Sequence, residues 1–379
     1  HNLIHDTPHA AMTVAGNDNI IEYNHVHHTN LQSTDTGGIY SCPRDWTQRG
    51  NIIRYNLWHD IGGFGKKSSW QPVENGKVEF EYPHFTWGIY LDDPTSGNEV
   101  YGNILYQVPI CALHNHGGRD NHWENNIIVD CPAFQAGMLA SNWNEWPAIQ
   151  KKYHDVTQAG SPFLTRYPEL KDYQPEQRPE AMSGLTFRRN IVYYTKAGTA
   201  WNRENSIWGC DPETMRLYTM TCGEEDFATN QFEDNVVYAE PGIGLKIELS
   251  LKPQPREVLD WAGWQAKGKD TRSQLADPLF VDAAHHDYRL QPNSPALELG
   301  FKPIPQAEIG PFRDALRVSW PVKLEPQAEG VARPEHRFFE VPGMEPVPAQ
   351  AVNPRGGLPN VLAKLKAGGE VKKIGRAHV

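Results

Sequence analysis

Long apolar runs are missing from this chain of 379 residues. No stretch approaches the roughly 20 consecutive apolar residues of a membrane-spanning helix, so no span is expected. Positive charge is scarce and scattered, with 36 Lys and Arg against 46 Asp and Glu and a formal net charge of -10. Without a basic stripe, nucleic acid is not an expected partner. The same balance disfavours tight binding of strongly anionic polymers unless a local cationic groove overrides it. Cysteine is sparse: Cys42, Cys111, Cys131, Cys210 and Cys222 show no CxxC spacing, which argues against a thiolate metal site and a disulfide-defined fold. Cys210 and Cys222 flank a short polar loop and could pair. The opening His1-Asn2-Leu3-Ile4-His5-Asp6 looks like the second half of a repeat unit. A processed form or fragment with earlier units missing is therefore expected, and its location, secreted or periplasmic, is inferred from the kind of fold.

Asparagine, by contrast, recurs in fixed surroundings. An apolar residue, two further residues, Asn, one further residue and another apolar residue return at Ile21–Val26, Ile53–Trp58, Val100–Leu105, Trp123–Ile128, Phe187–Val192 and Phe232–Val237. Short alternations of period two are strands, and Asn and Gly tolerate the left-handed backbone that breaks them. The gap from Asn103 to Asn126 matches the roughly 20 to 30 residues of one coil in a stacked β architecture. The expected fold is an all-β right-handed parallel β-helix, a solenoid over residues 1–300. Loop or helical insertions are expected at about 139–183 and 250–275. A Pro-rich extension, 301–379, is expected to pack on its outside. An Asn-rich sandwich or propeller would need tight two-residue hairpins, which the sequence does not show. Stacked Asn side chains are expected to bond up the ladder, and Ile53, Val100, Ile127, Ile191 and Val236 to be buried inside one coil.

Twelve Trp, fifteen Tyr and thirteen Phe are a high aromatic load for a chain with 39% hydrophobic residues. Some of these rings are expected in loops, where they could stack on sugar rings. Three segments align as neighbouring strands: Gly38–Cys42, Gly88–Asp92 and Ile110–His114. Alternation places Ile39, Ser41, Ile89, Leu91, Cys111 and Leu113 inside, and Tyr40, Tyr90, Asp92 and His114 on one outer strip. Arg44, Asp45 and Trp46 follow the first strand, Asp93 the second, and His116, Arg119 and Asp120 the third, while Asp35 precedes the first. Adjacent Asp92 and Asp93 repel when both are ionised, which raises one pKa. Paired carboxyls are what glycoside hydrolysis needs, one protonated and one ionised. The candidate catalytic residues are thus Asp92, Asp45, Asp35 and Asp93. Tyr40, Arg44, Trp46, Tyr90, His114, His116, Arg119 and Asp120 are the candidate substrate-binding residues. The bland reading of Asp93 and Asp120 is a turn role. No cofactor is expected, although calcium is a possible occupant of the carboxylate cluster; His27 and His28 read as solvated turn decoration and not as ligands.

These segments also carry a resemblance. Gly37-Gly38-Ile39-Tyr40 with Arg44-Asp45-Trp46, Gly88–Asp93, Gly117–Asn121 and Ala276–Phe280 resemble bacterial parallel β-helix proteins of carbohydrate-degradation loci, and in particular glycoside hydrolase family 141. The resemblance covers about residues 1–300. It implies a glycosidase acting on plant or algal polysaccharide through a pair of aspartates, for which Asp92 with Asp45 or Asp35 is the candidate pair. A fainter likeness to polygalacturonases lies in Asp35, Asp92-Asp93 and His114-Asn115-His116-Gly117, without their Asn-Thr-Asp and Arg-Ile-Lys motifs. The alternative function is a polysaccharide lyase or epimerase on a uronate-containing polymer, with Tyr90, His114 and Arg119 supplying base and cation. A non-catalytic binding protein would need no carboxylate cluster.

Overall fold

The structure, a computed structural model, describes residues 1–66, 80–195, 214–313 and 315. The chain divides into two compact units, His1–Gly65 with Tyr82–Arg333, and Lys66–Glu81 with Pro334–Val379. Everything below concerns the first unit.

Three large sheets of eight, eight and six strands carry the unit, and within each the strand order follows the chain. The first sheet runs through Leu3–His5, His25–Thr29, Leu57–Ile61, Ile104–Tyr106, Ile127–Val129, Ile191–Tyr194, Val236–Ala239 and Gln274–Leu275. The second begins at Met12–Thr13 and continues through Thr36–Ser41, Thr86–Leu91, Cys111–His116, Phe134–Gly137, Thr214–Gly223 and Gly244–Lys252. Its last strand, Glu257–Leu259, pairs antiparallel. The third sheet carries Ile20–Glu22, Ile52–Arg54, Glu99–Tyr101, His122–Glu124, Thr186–Arg188 and Gln231–Glu233. No antiparallel hairpin crosses the repeated segments; Val100, for example, pairs in parallel with both Ile53 and Trp123.

The expected class, an all-β right-handed parallel β-helix solenoid, is corrected by this layout. The sheets are large, parallel and not closed, and five helices among the described residues bring helix to 15% against 36% strand. That is consistent with an α/β fold and not with an all-β solenoid. Trp146–Val156 and Pro162–Arg166 fall in the stretch read as the first excursion, and Trp261–Ala266 in the second.

The Asn expectation is met and extended. Asn24, Asn56, Asn103, Asn126, Asn190 and Asn235 form a buried file in which the backbone N–H and Nδ2 of each donate to Oδ1 of the next. Asn103 Nδ2 also donates to the carbonyls of Ile53 and Tyr101. A second file, unforeseen from sequence, joins Asn19, Asn51, Asn98 and Asn121. The left-handed residue lies one position before each Asn of the first file: Tyr23, Tyr55, Gly102, Asn125, Arg189 and Asp234, with φ from 52° to 67°. Asn at the bend therefore supplies hydrogen bonds, while the residue before it takes the strained backbone.

Ile53 and Val100 lie in the main core with Val26, Trp58, Ile89, Leu105 and Trp123. Ile127, Ile191 and Val236 are buried too, but against the other face of the first sheet, in a cluster closed by Phe280, Tyr288, Phe301 and Ile304. Period-two alternation explains the split, since Ile128, Val192 and Val237 take the inner positions. The start of the C-terminal extension covers that outer face, where Asn125 and Lys302 exchange two hydrogen bonds. The extension beyond residue 315 lies outside the described residues, as does Cys210; Cys222 is a free buried thiol.

Candidate active site

Register aligns the outer strip of the second sheet: Tyr40 lies beside Tyr90, Tyr90 beside His114, and His114 beside Gln135. The alternation slips once in each strand. A Cβ on Gly88 would meet the Ala112 carbonyl at 2.5 Å and Leu105 at 2.8 Å, so Gly88 faces the core, and Ile89 does so as well. Trp87 before the slip and Tyr90 after it both point outward. Cys111, paired with Trp87, therefore joins the outer cluster of Trp87, Tyr90 and Ile110, which corrects its expected inward position. His114 is stacked on Tyr90 (4.4 Å, 14°) and flanked by Trp87 (4.6 Å), is 4% exposed, and its Nδ1 has no hydrogen-bond partner among the described residues. Burial, with the neighbouring His116, keeps its pKa well below the ordinary value, so the ring is neutral.

Two residues further along, the strip becomes a polar network around Asp92. Tyr40 Oη donates to Asp92 Oδ2 at 2.7 Å, and His116 Nδ1 donates to Asp92 Oδ1 at 2.7 Å. The same His116 nitrogen stands 3.3 Å from Asp93 Oδ1, while Arg44 Nε donates to Asp93 Oδ2 at 3.1 Å. Burial alone would raise Asp92, but the His116 hydrogen bond and charge, with the Tyr40 hydroxyl, outweigh it and hold the carboxyl at about 2. Burial alone would lower His116, yet its bonds to both aspartates lift it to about 9. At neutral pH an imidazolium therefore faces an ionised Asp92. Tyr40 and Tyr90 are both pushed well above the usual phenol range, by burial first and then by the Asp92 charge.

Asp35 enters from the start of the neighbouring strand with φ 54°. Asp35 is itself exposed, and the partial desolvation of its carboxyl, then the charge of Asp92, raises it above the ordinary carboxylate range. Arg44 (φ 49°) and Asp93 (φ 35°) share this left-handed backbone, which Asp tolerates and Arg seldom adopts. Strained backbone of this kind collects at functional sites.

Four expected site residues are spent elsewhere. Asp45 accepts from the Thr47 N–H and hydroxyl and from Gln48, closing a turn. Trp46 is fully buried and stacked on Trp146 (5.8 Å). Arg119, 3% exposed, donates to the carbonyls of Arg178 and Pro179 and lies over the rings of Trp46 and Tyr173. Asp120 accepts from Arg49 and Tyr173. Trp46, Arg119 and Asp120 fasten the 139–183 excursion to the sheets. The excursion in turn brings Trp143 to the site, with the Arg44 guanidinium 5.5 Å from its ring. Cys42, Trp87, Gln135 and Trp143 were not foreseen as site residues. The first three were legible from the alternation once the slip at Gly88 is known.

Cys42, Asp92 and Asp93 are close enough to share an ion. Calcium wants six to eight oxygen ligands. Here Tyr40, His116 and Arg44 already occupy the carboxylate oxygens, and burial with the Asp92 charge pushes the Cys42 thiol up to about 12. The donor set does not fit calcium. A separate cavity of about 650 Å³ is lined by Tyr238, Leu245, Trp261, Leu275, Asp260 and Asp277 among others. Each of its carboxylates accepts one backbone N–H, Asp260 from Gly263 and Asp277 from Leu279. No helix of the described residues is long and apolar enough to cross a membrane. No family model, curated protein or solved structure matches this chain.

Proposed function

We propose that this protein is a glycoside hydrolase of plant or algal polysaccharide or oligosaccharide, acting outside the cytoplasm. Asp92 is the ionised nucleophile or base and Asp35 the acid. One observation carries the reading: two carboxyls beside one strip have environments that push them apart. Asp92 is held charged by Tyr40 and His116, while the neighbouring, exposed Asp35 is raised above the ordinary carboxylate range by partial desolvation and by the Asp92 charge. Glycoside cleavage needs one proton donor at the leaving oxygen and one anion at the sugar carbon or at a water. Arg44 and His116 balance the charge of Asp93, and Trp143 offers a ring face on which a sugar can stack.

The lyase or epimerase reading is less well supported, because the groups it relies on are buried or occupied. Tyr90 and His114 cover each other, and Arg119 is bonded to backbone carbonyls. Product chemistry separates the two classes. Across a panel of polysaccharides, which carry no chromophore, a hydrolase releases reducing ends with no rise in ultraviolet absorbance; aryl glycosides report hydrolysis by the phenol they release. New absorbance from an unsaturated sugar would overturn the hydrolase reading.

A further inference from the structure

The last strands of the first and second sheets are closed unevenly. Beside the second sheet, the helix Trp261–Ala266 buries Trp264 in the main core, and Asp260 accepts the Gly263 N–H at the helix start. In the first sheet the last strand, Gln274–Leu275, is only two residues long. The N–H groups of Gln274 and Ala276 donate to the carbonyls of Asn235 and Val237. The next donor in that register would be residue 278, a proline, which has no N–H to give to Ala239. The ladder ends there, and the chain turns at Asp277, whose Oδ1 accepts the Leu279 N–H. Tyr238 and Ala239 are left without a strand partner on that side among the described residues. The space between them and Trp261 is the cavity of about 650 Å³.

Val237, Ile243, Leu245 and the exposed Leu275 give this cavity an apolar lining. Trp261 is half-buried in it, stacks on no other ring, and has no partner for its indole N–H among the described residues. Asp260 and Asp277 are exposed, and the second oxygen of each carboxylate is unengaged among the described residues. No Lys, Arg or His lines the cavity among the described residues.

Small-molecule sites occupy roughly 300–1,000 Å³ and join an apolar wall to a few polar groups, as here. Two carboxylates with no cation repel an anionic ligand. The fitting occupant donates to carboxylate oxygens, accepts from an indole N–H and presents an apolar face. A neutral pyranose does all three, because each hydroxyl both donates and accepts and the C–H face can lie on an indole. An alkylammonium ion has donors but no acceptor for the indole.

We propose that this cavity is a carbohydrate-binding pocket for a neutral oligosaccharide, with Trp261 as its platform and Asp260 and Asp277 as acceptors of sugar hydroxyls. It shares no residue with the Asp92 strip. The lining alone selects the sugar, so the pocket does not depend on hydrolysis at the strip.

The test is calorimetric titration of the full chain carrying Asp35→Asn, which limits turnover. The probes are xylotetraose, cellotetraose and mannotetraose, with tetragalacturonate and hexylamine as the anionic and cationic alternatives. One saturable equivalent of a neutral tetrasaccharide is expected that survives Trp143→Ala and is weakened about tenfold or more by Trp261→Leu. Asp277→Asn keeps an acceptor for the Leu279 N–H, replaces only the second oxygen, and is expected to weaken binding about 2–10-fold. Circular dichroism reports folding, and if Trp261→Leu does not fold, Asp277→Asn decides. Absence of such an equivalent for all three neutral sugars would overturn the proposal, as would undiminished binding in the deciding variant. Saturation by tetragalacturonate or hexylamine in place of the sugars would overturn it too. Hydrolysis of the same sugars by the parent chain tests the Asp92 strip separately.

Discussion

Asp92 and His116, from neighbouring strands of the second sheet, meet through a single contact of 2.7 Å between Oδ1 and Nδ1 that moves both titrations. Asp92 falls to about 2 in the folded chain, so its contribution is present above the ordinary carboxylate range and lost as pH falls toward 2. His116 rises to about 9, so its contribution is complete below about 6.5, the unfolded value, and is lost as pH rises through 9. The contact is therefore expected to stabilise most between about pH 4 and 6.5. His116→Gln should flatten the decline of thermal midpoint between pH 7 and 9. An unchanged decline in that variant would show that the pair does not titrate as described.

Tyr40 is expected to set the acid limb of activity. Tyr40→Phe keeps the ring against Tyr90 but removes the donor to Asp92 Oδ2. A hydrogen bond to a charged group contributes about 1.5–3 kcal/mol. The apparent pKa of the acid limb of kcat should accordingly rise by about one to two units. A limb that stays in place would remove Asp92 from the rate-determining ionisation.

The Asn file tests how the bends are held. Asn103→Leu strips two backbone carbonyls and two neighbouring Asn groups of their partners at a fully buried position. A loss of about 1–3 kcal/mol in chemical denaturation is expected. Unchanged stability would mean that the neighbouring backbone satisfies itself without the side chain.

Asp45 and Trp143 separate anchoring from substrate contact. Asp45→Asn is expected to lower stability while kcat stays near the parent value, because its carboxylate serves Thr47 and Gln48. Trp143→Ala is expected to raise KM more than it lowers kcat, as loss of a sugar platform would. If kcat collapsed in Asp45→Asn, the choice of Asp35 as the acid would fail.

The spacing of the Asn units made the parallel pairing, the first Asn file and the outer strip of Tyr40, Tyr90, Asp92 and His114 legible in the sequence. The fold class was not legible from it. A local repeat reports which strand pairs with which, and says little about how open sheets and helices share the chain. The inner or outer side of Ile127, Ile191 and Val236 depends on cover from Phe280 and Phe301, which lie far away in sequence. The site was half legible. Alternation brought Tyr40, Asp92 and His114 to one face, but Asp45 closes a local turn, and the fastening of Trp46, Arg119 and Asp120 depends on an excursion whose path no period encodes. The roles of Asp35 and Asp92 follow from their neighbours, chiefly Tyr40 and His116, which spacing alone could not pair.

The most direct test of the two-carboxyl account is single-turnover and steady-state hydrolysis by Asp92→Asn and Asp35→Asn, each folded, on a substrate found in the panel. Both are expected to lose about 10²–10⁴-fold in kcat. The loss in Asp35→Asn should shrink on an aryl glycoside whose leaving group needs no proton, while the loss in Asp92→Asn should not. Near-parent rates in either variant, or equal losses on both substrates for Asp35→Asn, would contradict the assignment of acid and anion.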